Sequence, residues 1–229
     1  MNPRKSILSA GRFVRDRFLY GPREKLVIDW LAHKGDITLR IDYDFLAQDS
    51  LAFDLGGYCG QWASDLYSRY ECRIYVFEPI VQYADFIRKR FHRNPKVSVF
   101  PFGLGPNTEE KLIKVSEDAS STYSKDADTP IHIEEFIAFI QREGITDIDL
   151  MKVNTEGGEY DILPYLISTG YIAHIRALQV QFHVYSEADK QRAEAIRRDL
   201  EKTHASDYSY AYVWEGWSLK QMAEDSMAG

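Results

Sequence analysis

Leu51–Trp62, LAFDLGGYCGQW, is the stretch around which the chain is organised. A short apolar run, Leu51-Ala52-Phe53, reaches Asp54 and passes into a glycine-rich turn, Gly56-Gly57-Tyr58-Cys59-Gly60. A helical pattern then begins at Gln61 and Trp62. Glycines let the chain reverse tightly and let a ligand approach the backbone, and the helix N-terminus lies open beside them. A second run, Arg73–Phe77, ends in Glu78-Pro79. Its carboxylate follows by about 20 residues, the separation at which nucleotide-binding folds place a ribose-binding acid.

The turn reads D-x-G-G-x-x-G, not the G-x-G-x-x-G of a dinucleotide site. Asp54 just before the glycines would repel a pyrophosphate but suits a cationic ligand. S-adenosylmethionine, with an ammonium, a sulfonium and a ribose but no phosphate, fits that charge better than NAD. A turn that merely packs a strand on a helix is the alternative.

With 229 residues, the chain is long enough for one α/β domain with a full core. Its net charge of −7 argues against nucleic-acid binding through the overall field. Two cysteines make neither a disulfide framework nor a metal-ligand pattern, and they suit a reducing cytosol. The N-terminus lacks the sustained apolar core of a signal peptide, and no run approaches a membrane span. A cytoplasmic location is expected.

In chain order, residues 5–19 read as an amphipathic helix and Leu26–Leu31 as a second short one. Asp36–Phe45 alternates as a strand or hairpin. Together residues 1–50 form a cap, a device that often covers the substrate side of such folds. From residue 51 to 222, strands alternate with helices. The strands are Leu51–Asp54, Arg73–Phe77, Val97–Phe100, Ile148–Val153 and Arg176–Phe182, with a short extra one at Leu112–Val115. The helices are Gln61–Arg69, Ile80–Phe91, Ile133–Gln141, Tyr160–Ser168 and Glu187–Thr203. Residues 116–130 read as a loop near the ligand site. Tyr208–Trp214 and Trp217–Lys220, joined at Glu215-Gly216, read as an antiparallel hairpin, and residues 223–229 as a flexible tail. This pattern predicts an α/β fold, a mainly parallel sheet with helices on both faces. Ligands of such sheets sit beyond the carboxyl ends of the strands, where Asp54, Glu78, Gly103, Asn154, Glu156 and His183 converge.

Three segments resemble the FkbM family of class I methyltransferases. They are Phe53–Gly60, Val76-Phe77-Glu78-Pro79, and Leu150–Glu159 (LMKVNTEGGE), similar to the family's LKIDVEGxE motif. The third is the most specific, and the likeness runs from Asp36 to the last hairpin. It implies a Rossmann-like, seven-stranded fold and S-adenosylmethionine-dependent O-methylation of a sugar, a polysaccharide precursor or a secondary metabolite. One departure is Asn154, where the family carries Asp. If that carboxylate were the base in relatives, this chain would need another; if it only oriented the cofactor, an amide could substitute.

The resemblance implies that Glu78 accepts bonds from both ribose hydroxyls. Asp54 would orient the turn or bind the cofactor's ammonium, and Gly56, Gly57 and Gly60 would admit the methionine part. Pro79, Gly103, Leu104 and Asn154 would complete the cofactor site. Methyl transfer is in-line, so alignment supplies much of the catalysis. A hydroxyl nucleophile still profits from a general base, for which His183, Glu156 and Glu159 are the candidates. The last two also suit a helix N-terminus. Trp214 and Trp217 could stack on a sugar or simply pack. No cluster of three oxygen ligands suggests a metal. The acceptor's identity and any self-association stay open. Besides catalysis, the alternatives are S-adenosylmethionine binding without turnover and an NAD-dependent oxidation, the latter lacking a Tyr-x-x-x-Lys pair.

Overall fold

A computed structural model describes residues 22–115, 120–121 and 129–220. In its first half, α1 (Pro22–Ala32) and α2 (Gly35–Thr38) precede β1 (Leu51–Leu55), α3 (Gln61–Tyr70) and β2 (Arg73–Phe77). Next come α4 (Val81–Arg90), β3 (Val97–Phe100), β4 (Gly103–Gly105), β5 (Glu109–Val115), β6 (Ser120–Ser121) and β7 (Thr129–Glu135). Then follow α5 (Phe136–Glu143), β8 (Ile148–Val153), α6 (Glu159–Ser168), a 3-10 turn (Tyr171–His174) and β9 (Ile175–Val180). The chain ends in α7 (Glu187–Leu200), β10 (His204–Tyr210) and β11 (Trp214–Leu219).

The main sheet has seven strands in the order β10-β11-β9-β8-β1-β2-β3. β9-β8-β1-β2-β3 pair in parallel, and β11 and β10 close the sheet antiparallel. The order reverses between β1 and β8, which opens a crevice at their carboxyl ends. Alternate side chains of the parallel strands feed two apolar layers, since successive residues of a strand face opposite ways. Phe53, Phe77, Met151 and Leu178 pack with α5, α6 and α7, whereas Ala52, Ile74, Leu150 and Ala177 pack with α3 and Ile87 of α4. Aromatic rings thicken the first layer, with Phe77 stacked on Phe100 at 5.0 Å and Phe53 on Tyr75 at 5.6 Å.

A second, four-stranded sheet, β4-β7-β5-β6, was not foreseen from the sequence. Part of its β7 lies where a helix from Ile133 was expected. The helix starts at Phe136 because Glu135 caps it, its carboxylate accepting the Ile137 and Ala138 N–H groups at 3.0 and 2.5 Å. Asp36–Phe45 is likewise not a strand. α2 occupies its start, and the rest crosses one face of the sheet as irregular chain whose Ile41, Tyr43 and Phe45 pack against the second apolar layer. The hairpin turn falls at residues 211–213, not at Glu215-Gly216. A Cβ on Gly216 would lie 2.2 Å from the Tyr208 ring, so that glycine serves close strand packing, and Tyr212, with φ 62°, makes the turn. The expected helix at 5–19 and most of the expected loop at 116–130 lie outside the described residues, as does the tail at 223–229.

α1 sits on the antiparallel edge, where Trp30 packs against Val213, Trp214 and the Tyr210 ring. Trp214 and Trp217 are buried core residues, so packing rather than sugar stacking accounts for both. Among the described residues no helix is long and apolar enough to cross a membrane.

Candidate functional site

A cavity of about 240 Å³ opens at the carboxyl ends of β1, β2 and β8. The turn after β1 shapes its floor. Gly56 takes φ 85°, and its N–H donates to Phe77 O at 2.9 Å. A Cβ there would lie 1.9 Å from Asn154 O, so only glycine lets β1 and β8 end side by side. Gly60, at φ 73°, starts α3.

Glu78 fastens this turn to the next helix. Its carboxylate accepts the Tyr58 N–H at 2.7 Å and the Ile80 N–H at 2.9 Å, one on each oxygen. Burial pushes its pKa up to about 7 against those two bonds. The residue is only 5% exposed yet lines the cavity, so its remaining lone pairs are offered to a ligand.

Beneath the floor, Asp54 is fully buried and paired with Lys152, which stands opposite it on β8. Lys152 Nζ lies 2.5 Å from Asp54 Oδ1 and donates to Gly56 O at 2.9 Å. Burial depresses the lysine's pKa while Asp54 pulls it back up. Asp54 Oδ2 has no partner. The lysine was overlooked in the sequence, where its only signal is a charge within an otherwise apolar central strand. It also alters the expected electrostatics, since the carboxylate that was to attract a cation is already matched by one.

β8 ends in the turn Asn154–Gly158. Asn154 lines the cavity, and its Oδ1 is buried with no partner. Glu156 also lines the cavity, with φ 51°. Its Oε1 lies 3.2 Å from His183 Nε2, and its Oε2 accepts from the Tyr185 hydroxyl at 3.0 Å. The other ring nitrogen of His183, Nδ1, lies 3.0 Å from Glu159 Oε1. These carboxylates push His183 up to about 9 against its burial. Glu159 is fully buried and opens α6.

The second sheet forms the outer wall. Ile113 of β5 and Ile131 and Ile133 of β7 face the cavity with Ile80 and Tyr83, and Lys111 and Asp161 meet across it at 3.4 Å. Gly103 is wedged between Ile133 and Pro79, where a Cβ would lie 2.7 Å from Ile133 Cδ1.

Of the residues expected at the site, Gly56, Glu78, Pro79, Gly103, Leu104, Asn154 and Glu156 line the cavity. Asp54, Gly57, Gly60, Glu159 and His183 stand behind that lining, holding its shape. None of the lining residues comes from the segment 22–50, which was expected to cover the substrate side. Missed were Lys152, whose partner Asp54 stands on the neighbouring strand of the main sheet, and Tyr83, Lys111, Asp161 and the isoleucine wall, whose meeting depends on the second sheet. Among the described residues no three His, Cys, Asp or Glu side chains are grouped to hold a metal ion.

The residues fit S-adenosylmethionine. A carboxylate able to take two hydroxyl donors, an orphaned buried amide oxygen and an apolar wall match its ribose, its ammonium and its adenine. A family model described as the methyltransferase FkbM domain matches residues 32–210. No curated protein sequence matches the chain. The fold is similar to that in a fibrillarin/Nop5p complex, with TM-score 0.50, 10% identity, and 84% of this chain and 82% of that one covered. At that identity the likeness speaks to fold alone. The METTL16 MTase domain gives TM-score 0.49 at 10% identity, covering 86% of this chain and 69% of that one. SMU.1697c from Streptococcus mutans, in complex with SAH, gives 0.48 at 9%, covering 83% and 97%.

Proposed function

Because the chain belongs to the FkbM methyltransferase family, we propose that it is an S-adenosylmethionine-dependent O-methyltransferase. Its acceptor is a hydroxyl of a sugar, a polysaccharide precursor or a secondary metabolite. The observation that carries the cofactor reading is Glu78, a buried carboxylate at the end of β2 that faces the cavity with each oxygen already oriented by a backbone N–H. Such a group binds two vicinal hydroxyls and repels phosphate.

When bound, the cofactor supplies an electrophilic methyl group on a sulfonium. The chain's own residues hold and orient. Glu78 fixes the ribose, Asn154 Oδ1 takes a donor from the amino-acid end, and Ile80, Ile113 and Ile131 exclude water from the base. Lys152 anchors the Gly56 carbonyl and so keeps the floor in place. Free Cys59 and Cys72 support a reducing, cytoplasmic setting.

Calorimetric titration with S-adenosylmethionine, S-adenosylhomocysteine (SAH) and NAD tests this reading. The first two should bind, and Glu78→Ala should weaken them on the order of 100-fold, as two charge-assisted bonds worth about 3 kcal/mol together require. Saturable NAD binding without response to the other two sinks the proposal. Cofactor binding with no turnover on any hydroxyl acceptor would leave a binding protein rather than an enzyme.

A further inference from the structure

Both ring nitrogens of His183 face carboxylates. Nδ1 lies 3.0 Å from Glu159 Oε1, and Nε2 lies 3.2 Å from Glu156 Oε1. A neutral imidazole has one donor and one lone pair, so one of these contacts would set a lone pair against an anion. An imidazolium donates to both. The ring is also fixed by its neighbours. Glu159 Oε1 accepts the His183 backbone N–H at 2.8 Å, and Glu159 Oε2 accepts the Gly157 N–H at 2.8 Å and the Thr155 hydroxyl at 3.2 Å. The Tyr160 hydroxyl donates to His183 O at 2.8 Å, and the Tyr185 ring lies parallel to the imidazole at 6.3 Å. A charged ring so held has no site left for a substrate proton.

Glu156 differs. It follows β8, with β1 between it and the strand that ends in Glu78. It lines the cavity wall with a left-handed backbone, φ 51°, a conformation that a non-glycine residue adopts only at a cost. Of the other carboxylates on that wall, Glu78 holds two backbone N–H groups and is given to the ribose in the reading above, and Asp161 faces Lys111 and Arg192 at 3.4 and 3.6 Å. Glu156 has two side-chain partners, His183 on Oε1 and on Oε2 the hydroxyl of Tyr185, a half-exposed residue whose place an acceptor hydroxyl can take.

We propose that Glu156 is the base that takes the proton of the acceptor hydroxyl, and that His183 is a fixed imidazolium which, with Glu159, positions Glu156. This rests on the methyltransferase reading above. The hydroxyl proton would pass to a Glu156 carboxylate oxygen, which becomes a neutral acid, and the electron pair freed on the acceptor oxygen would form the new bond to the methyl carbon as that carbon's bond to sulfur breaks, its pair staying on the sulfur of the neutral thioether product. Glu156 thus does the work that the strand-end aspartate, here Asn154, could have done. His183 and Glu159, two of the three candidates for the base in the sequence, become positioning residues.

NMR of the full chain with labelled histidine rings and glutamate carboxyls tests this without knowing the acceptor. In the wild type at pH 7.5, both His183 nitrogens should be protonated. Glu156→Gln and Glu159→Gln should each lower the His183 midpoint by at least about one pH unit, as loss of an adjacent anion does. A neutral His183 ring at pH 7.5, or a His183 midpoint indifferent to Glu156→Gln, overturns the proposal. SAH titration of the same samples is scored separately. Its failure would sink the methyltransferase reading while leaving the His183 result standing.

Discussion

Glu78 is pulled two ways, upward by burial and downward by the Tyr58 and Ile80 N–H groups, and settles at about 7. A carboxylate raised in the folded state favours folding most when protonated, so this contribution is full at low pH and is lost as pH rises from its ordinary value near 4.5 through 7. Over that window the loss amounts to roughly 3 kcal/mol. Glu78→Gln should therefore gain stability relative to wild type between pH 5 and 8 in urea melts. Ribose hydroxyls donate to the ionised form, so SAH affinity should rise across the same window and become flat in Glu78→Gln, as calorimetry at several pH values would show. Asp54 and Lys152 obey a different rule, because each is buried with the other as partner. Lys152→Met strands a buried carboxylate and should cost about 3–5 kcal/mol, whereas Asp54→Asn with Lys152→Met should recover most of it. A double-mutant cycle in urea checks this, and equal losses in single and double variants would show that the pair is not the source.

Elements differ in how far their own residues announce them. β2, β3 and β8 match their sequence-read bounds because dense apolar runs flanked by polar or turn residues leave no other assignment. The glycine turn and Glu78 were legible for the same reason, since short-range spacing carries them. Longer-range partners decide the rest. Gly216 looks like a turn glycine until Tyr208 is laid across it, and Ile133 looks helical until β4 and β5 pair with β7 on either side. Lys152 could be seen as anomalous in β8, but its reason lies 98 residues away in Asp54. Gly216→Ala offers a direct measure, because a methyl 2.2 Å from the Tyr208 ring must displace it. Thermal melts should show a loss of about 1–3 kcal/mol, whereas a true turn glycine at that position would lose less. Pro164 within α6 is tolerated through a similar remote partner. It cannot donate to Tyr160 O, and Arg192 Nη2 does so instead at 3.1 Å.

Across the whole molecule, the cavity lies between two sheets held by different means. The main sheet is buried on both faces by helices, while β4, β5 and β7 form a small wall anchored by the Lys111–Asp161 contact and by the Tyr165 hydroxyl on Glu135. A ligand enclosed between them adds contacts to the wall that it cannot add to the far edge, where α1 packs on β10 and β11. At 100 times its Kd, a ligand stabilises the fold by about 2.7 kcal/mol, or roughly 5–10 °C for a chain of this size. That gain should not be spread evenly. Hydrogen exchange should slow on SAH addition in 103–113, 129–135 and 56–58, and stay unchanged in 204–219, because local opening depends on contacts made at that place. Ile131→Ala should weaken SAH binding by roughly tenfold, from the apolar area lost, and should leave the exchange of β10 and β11 as in wild type. Protection appearing first in 204–219 would mean that the ligand sits at the antiparallel edge, and the cavity at the carboxyl ends of β1, β2 and β8 would lose its claim.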